Sequence, residues 1–353
     1  MYPFSDTYHE ARDRFLIAAS NAGCELHAYP AGPDEGSLTM DVATCGPDGA
    51  PTLVVSSGLH GVEGYFGAAV QLAYLDQIAQ TPPDNFRVVM LHAINAFGFE
   101  QIRRFDENNV DLNRNFLSSG DDYSGEPAAY AALDTLLNPT SPPSPWEPFS
   151  LKALWQIWRR GMQAVMQAVA EGQYERPRGL FFGGNASSKA MQTIDAHIET
   201  WVGSSPEILL VDFHTGLGKF TDYRLLLEES RNSPQCNWFL KAFDPDKVEA
   251  GDVENKTAYR SRGLFTEWFQ QRLSPRSCHA TVAEFGTYGP VRVLAALRAE
   301  NRAHFYASPD SAAYRRAKSE LLECFCPKSS DWRQRTLASS LRILDQAATA
   351  IRK

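Results

Sequence analysis

The sequence predicts an α/β fold built on a largely parallel sheet, and two observations carry this. Strand-length apolar runs alternate with longer segments at helical spacing, in the order strand, turn, helix, strand. The run at 52–57 is also apolar at nearly every position, as a strand covered on both faces must be. In order, residues 8–22 read as a helix and 37–44 and 52–57 as strands. Gly58-Leu59-His60-Gly61 is a turn, 62–79 a helix and 86–93 a second buried strand.

Residues 118–148 change character, with Pro139, Pro142, Pro143, Pro145 and Pro148 marking a loop or insertion. Leu151, Leu154, Trp155, Trp158, Met162, Val165, Met166 and Val169 then fall at helical spacing, a stripe expected to pack on the body. Gly183-Gly184-Asn185 closes the insertion, and a helix follows to about Trp201. Strands are expected at 208–213, 223–228 and 280–284, a helix at 291–301, and two covering helices from Ser311 onward. No composition break divides the chain. The expectation is one domain, 1–353, with an insertion at 118–205 and C-terminal helices at 311–352.

The 353 residues are 43% hydrophobic and 22% charged, which excludes a disordered or collagen-like chain. A chain of this length buries roughly 75% of its unfolded surface and needs no metal merely to fold. With 42 acidic against 34 basic residues the net charge is -8, so nucleic acid is not an expected partner. No signal peptide is visible, and no stretch approaches the roughly 18 apolar residues of a spanning helix, so no membrane partner is expected. Six scattered cysteines without a C-x-x-C read as reduced thiols in a cytoplasmic protein.

Four clusters at the ends of strands carry chemistry, and in open α/β sheets that is where ligands bind. His60-Gly61-Val62-Glu63 can aim an imidazole and a carboxylate at one point, and both are good zinc ligands. His214 stands where the strand 208–213 emerges; two histidines and one glutamate make a standard catalytic zinc set. The segment from Arg103 to Phe116 concentrates Arg and Asn, which together grip carboxylates. Glu284 closes an apolar strand, where desolvation raises a carboxyl toward a useful base. Read singly, each cluster also fits a structural role: a capping Glu beside a loop His, a hydrogen-bonded His, a solvated charged loop. His92, inside its strand, reads as a core histidine. The absence of G-x-S-x-G, H-E-x-x-H and a phosphate-binding loop disfavours other catalytic classes.

The ordered set His60-x-x-Glu63, Asn95-x-x-Gly98, Asn109-Val110-Asp111-Leu112-Asn113-Arg114-Asn115-Phe116, His214 and Glu284 resembles the zinc carboxypeptidase superfamily, which includes the aspartoacylase and succinylglutamate desuccinylase branch. The resemblance spans about residues 40–300, and Asp212–Gly216 leans toward its bacterial, acylase-like side. It implies a mostly parallel mixed sheet flanked by helices in a single domain. It further implies that His60, Glu63 and His214 bind zinc, that Asp111 orients a zinc histidine, and that Glu284 is the general base. Arg104, or less favourably Arg103, would polarise the scissile carbonyl, while Asn113 and Arg114 hold a carboxylate. Tyr259 and Tyr288 are the candidates for the family's mobile tyrosine. At Asn95-Ala96-Phe97-Gly98 the chain departs from members that carry Pro after the Asn and Asp before the Gly.

The activity implied is metal-dependent hydrolysis of an amide next to a free carboxylate, on a small molecule or short peptide. Two readings share this chemistry: a carboxypeptidase and an N-acyl-amino-acid amidohydrolase. A third, of another class, is a zinc-binding regulatory module without catalysis.

Overall fold

The apolar runs do become strands, and their register sets the positions of everything chemical. The structure, a computed structural model, describes residues 2–33, 36–162, 165, 171–252 and 261–352. Its strands are β1 (Glu25–Ala31), β2 (Leu38–Cys45), β3 (Thr52–Ser57), β4 (Arg87–His92), β5 (Glu207–Thr215), β6 (Tyr223–Leu226), β7 (Val248–Glu249) and β8 (Ser277–Phe285). Among the described residues they form an 8-stranded sheet in the order β1-β2-β4-β3-β5-β8-β6-β7. The centre, β4-β3-β5-β8, is parallel, while β1, β2 and β6 pair antiparallel to their neighbours toward the sheet's centre. This is the mostly parallel mixed sheet of a single-domain α/β fold.

The helices are α1 (Tyr8–Asn21), α2 (Gly64–Gln80), α3 (Ala96–Glu100), α4 (Ala128–Ala131), α5 (Asp134–Leu137), α6 (Phe149–Arg160), α7 (Lys189–Val202), α8 (Pro234–Ala242), α9 (Phe265–Leu273), α10 (Pro290–Tyr306), α11 (Ala312–Phe325) and α12 (Ser330–Ala350). Several begin where the sequence offers a cap: Ser188, Ser311 and Ser329 each accept from a backbone N–H three residues on. Alternation along the buried strands feeds two cores. Leu53, Val55, Leu209 and Val211 face α1, α2 and α12, whereas Val54, Ile208 and Leu210 face α7 and α9. A third cluster, including Phe105, Tyr130, Phe181, Leu297 and Phe325, joins the 118–205 segment to α10 and α11. No helix among the described residues is long and apolar enough to cross a membrane.

One expectation fails. The stripe from Leu151 onward forms a helix, but its apolar face does not pack on the body. α6 leans inward through Phe149 and Ala153, while Leu151, Leu154, Trp155, Trp158 and Met162 are exposed. Val165 is buried; Met166 and Val169 lie outside the described residues. Periodicity reports that a helix has an apolar stripe, not what meets it. Here the Arg298 guanidinium lies 4.9 Å from the Phe149 ring and helps hold the opposite face down.

The body behind the strand ends is tied by a buried ion network. Arg103, fully buried, donates from Nε to Glu300 at 3.0 Å and from Nη2 to Asn109 and Asn301 at 2.9 and 3.0 Å. Lys318 adds a second cation to Glu300 at 2.7 Å. Removing one partner of a buried ion set leaves charge without compensation. Arg103→Met is therefore expected to cost about 3–5 kcal/mol of unfolding free energy. Urea denaturation checks this, and an unchanged midpoint would show that the network contributes nothing to stability.

Candidate metal centre

β3 ends in a turn at Gly58, and a short helical turn, Gly61–Glu63, leads straight into α2. His60 precedes that turn and Glu63 closes it, so both side chains leave the same corner. Gly61 is required there: a methyl on its Cα would collide with the Gly98 backbone of α3. The corner is locked from outside by Val62 N–H donating to the Arg103 carbonyl at 2.7 Å and by Arg103 N–H donating to Gly98 at 2.7 Å. His214 arrives on β5, and the parallel register with β8 sets it beside Glu284.

The three donors converge. His60 Nδ1 lies 2.9 Å from Glu63 Oε1, His214 Nδ1 lies 3.0 Å from Glu63 Oε2, and the two Nδ1 atoms are 3.1 Å apart. All three residues are buried. Each ring is held from behind through Nε2: His214 by Asp212 at 2.6 Å and His60 by Asp111 at 3.2 Å. Those bonds assign the proton to Nε2 and turn both Nδ1 lone pairs toward one point. Two lone pairs and a carboxylate facing each other in a buried corner suit a divalent cation. Asp111 and Asp212 add further negative charge around them, offset in part by Arg104, which bonds Asp111 and lies 3.6 Å from Glu63, and by the charge of Arg114. The donor set therefore fits a metal.

Electrostatics agree with this layout. Burial would raise Glu63, but the two imidazoles outweigh it and hold the carboxyl well below the usual range. Burial also opposes ionisation of Asp111, yet Arg104 and His60 drive it well down. Glu284 is the contrast: burial, then the negative charge of Glu63, push it up to about 8. Its Oε1 accepts from Leu217 N–H at 2.8 Å, which aims the carboxyl into the cavity.

That cavity, of about 150 Å³, takes in His60, Glu63, His214, Arg104, Arg114 and Glu284. Asn113 lines it too; its Oδ1 accepts from Phe265 N–H at 3.0 Å, leaving the amide hydrogens as donors. Arg104 and Arg103 point opposite ways. Arg104 donates to Asp111 at 2.8 Å and lies 5.5 Å from the Phe181 ring, inside the cavity, whereas Arg103 belongs to the buried network. Tyr288 stands outside the lining of this cavity: its hydroxyl donates to Glu323 at 2.5 Å, and Arg292 stacks on its ring. Tyr259 lies outside the described residues. His92 is a core residue, stacked on Phe15 and bonded to Gln71, with burial lowering it to about 3.

Sequence reasoning passed over Asp212 as a support for His214. The signal was its spacing, two residues before His214 on one strand and hence on the same face. It also passed over Glu228, which lines the cavity and whose charge acts on Arg114.

A family profile described as "Protein of unknown function (DUF2817)" matches residues 4–339. The chain belongs to that family. A search of curated proteins returns no match. Carboxypeptidase A from Helicoverpa armigera superposes with a TM-score of 0.51 at 11% identity, covering 91% of this chain and 74% of that one. Bovine thrombin-activatable fibrinolysis inhibitor gives 0.49 at 10% identity, over 97% of this chain and 99% of that one. Succinylglutamate desuccinylase from Chromobacterium violaceum gives 0.37 at 16% identity, over 90% and 74%. The first of these shows the fold to be that of a carboxypeptidase, so the resemblance drawn from the motifs holds at the level of the fold.

Asp212 gives the metal reading a specific test. Asp212→Asn keeps the shape and weakens the acceptor behind His214. Metal affinity, measured by competition with a chromophoric chelator, is expected to fall about 10- to 100-fold. Unchanged affinity would rule out the aspartate as the residue that orients the ligand.

Proposed function

We propose that the chain is a zinc-dependent hydrolase that cleaves an amide bond next to a free carboxylate. The observation that carries this is the convergence, in one cavity, of the His60–Glu63–His214 donors with Glu284 and the Asn113–Arg114 pair. His60, Glu63 and His214 would hold the zinc. When bound, zinc supplies Lewis acidity that lowers the pKa of a water in its shell from about 15.7 toward about 7.

The chain's own groups divide the remaining work. Glu284, raised toward neutrality, takes a proton from the attacking water and returns it to the leaving nitrogen. Arg104 offers guanidinium hydrogens to the carbonyl oxygen as negative charge builds there, a contribution of about 100- to 1,000-fold for one such donor. Asn113 and Arg114 grip the substrate carboxylate and so set which amide reaches Glu284. Burial lowers the Arg114 guanidinium, so a matching anion is favoured beside it.

Two apolar walls flank these groups. Val282 shares the face of β8 with Glu284, and Leu226 stands opposite it on β6, with Leu264 nearby on the Asn113 side. Leu294, Leu297 and Phe325 line the cavity with Phe181, which lies on the Arg104 side. The first wall suits the side chain of the residue that carries the carboxylate. The second suits an apolar acyl part, and this favours an N-acyl amino acid as a second substrate class beside the short peptide. The reading as a metal-binding module without catalysis is disfavoured by Glu284, a buried carboxyl aimed into the cavity.

Two outcomes test the proposal. In Glu284→Gln, zinc content should stay near one per chain while turnover on short peptides and N-acyl amino acids falls by roughly 100-fold or more. Turnover at the wild-type rate would send the proton elsewhere. For the clamp, amidating the substrate carboxylate should cost wild-type enzyme several kcal/mol. Arg114→Ala should lose activity on the free acid but little more on the amide. Equal cleavage of free and blocked substrates by wild-type enzyme would overturn the carboxylate specificity.

A further inference from the structure

Exposed large apolar side chains are concentrated in one place. Of the nine such residues among those described, six are Trp146, Leu151, Leu154, Trp155, Trp158 and Met162. Trp146 is 90% exposed and Trp158 83%. Leu151, Leu154, Trp155 and Trp158 follow one another at helical spacing and form a continuous stripe on α6, and Met162 lies just past the Gly161 that ends the helix. Burying Phe149 and Ala153 on the other side has already used the face that the body needs.

The charge around the stripe is as unusual as its exposure. From 148 to 170 there is no Asp or Glu, while Lys152, Arg159 and Arg160 supply three cations in a chain of net charge -8. The three are exposed. Arg159 lies 5.4 Å from the Trp155 ring, which holds a cation level with an indole at the edge of the stripe. The nearest acid in sequence, Glu147, is bonded to Arg298 at 2.6 and 3.0 Å and to Arg302, and Lys152 also reaches it at 3.4 Å, so Arg159 and Arg160 carry most of the free positive charge of this face.

We propose that this face of α6 docks on an anionic lipid surface. Trp and Leu on one face, with Lys and Arg beside them, is the composition of a helix lying in the plane of the membrane interface. The indoles sit at headgroup depth, and the cations meet lipid phosphates. A second copy of the chain fits less well, because a two-fold contact sets the same three cations against themselves. The sequence-based expectation of no membrane partner rested on the lack of a spanning segment, and a helix lying on the surface needs none. The proposal is independent of the metal centre and of the hydrolase reading. It also places the lipid close to the cavity: α6 packs on α10, which carries the lining residues Leu294 and Leu297.

The test is co-sedimentation of the full chain with vesicles of phosphatidylcholine alone or mixed with phosphatidylglycerol. Binding is expected on the mixed vesicles only, and it should weaken as salt is added. Trp155→Glu with Trp158→Glu should abolish it. Lys152→Gln with Arg159→Gln and Arg160→Gln, which leaves the apolar stripe intact, should lower the partition roughly 100-fold. Thermal unfolding of both variants should match wild type, because the altered side chains are exposed. The proposal is overturned by no binding to mixed vesicles, by equal binding to neutral ones, or by charge removal without effect. It is equally overturned if the wild-type chain has twice the monomer mass in solution and the double tryptophan variant reverts to one, which would make the stripe an interface between copies.

Discussion

Two imidazole nitrogens held 3.1 Å apart against a buried carboxylate set the terms for the rest of the molecule. Lone pairs at that separation repel, and a buried corner offers little water to relieve them. Such a cluster is stabilised where each group is gripped from behind and positive charge, a metal ion or the proton that Asp212 and Glu63 favour on His214, stands between them. The grip runs through the sheet. Asp212 holds His214 and is itself held by the Ser56 hydroxyl at 2.6 Å, so β3 and β5 orient the ring together. Asp111 holds His60 and is in turn held by Arg104, which ties the His60–Glu63–His214 group to a further wall of the cavity.

The surroundings show how much structure this demands. Arg103, Glu300 and Lys318 fill space behind the corner with paired charge rather than hydrocarbon. Their polar bonds have direction, so they fix where the Arg103 backbone lies, and Arg103 carries the carbonyl that receives Val62. Ile102 just before it has φ 50° and Phe181 over Arg104 has φ 55°, both costly for residues with side chains. Strain of this kind is retained where the neighbouring contacts over-determine the backbone. On the other side, Trp332 of α12 donates to the Gly286 carbonyl at 2.9 Å, so a C-terminal helix steadies the loop that follows Glu284.

Charge is sorted by position as much as by amount. Part of the acidic charge lies buried around the candidate metal corner, in Glu63, Asp111 and Asp212. The cations of α6 remain outside, beside exposed indoles. A chain of overall charge -8 thus presents a locally basic, apolar face, and net charge alone conceals it.

Much of the fold and the candidate metal corner was legible in the sequence because it depends on local order. Residues 52–57 are apolar because both faces of β3 are covered, and His60, His214 and Glu284 follow or end such runs because strand ends are where polar groups can emerge. β1 and β7 were not legible: β1 is an edge strand with no fully buried position and a proline, and β7 has only two residues. The site's finer assignments turned on direction. Arg103 and Arg104 are neighbours with the same side chain, yet one joins Glu300 on α10 and the other Asp111 in the cavity. Tyr288 stands four residues beyond Glu284 but turns to Glu323. The stripe on α6 was visible as a period, while its outward orientation depended on Phe149 and Ala153 seating the helix. Sequence by itself determined which residue types stand at each strand end. Which way each side chain points, and what faces it, was decided by tertiary packing, because those partners stand on other elements, from 7 positions away for Arg104 to 197 for Arg103.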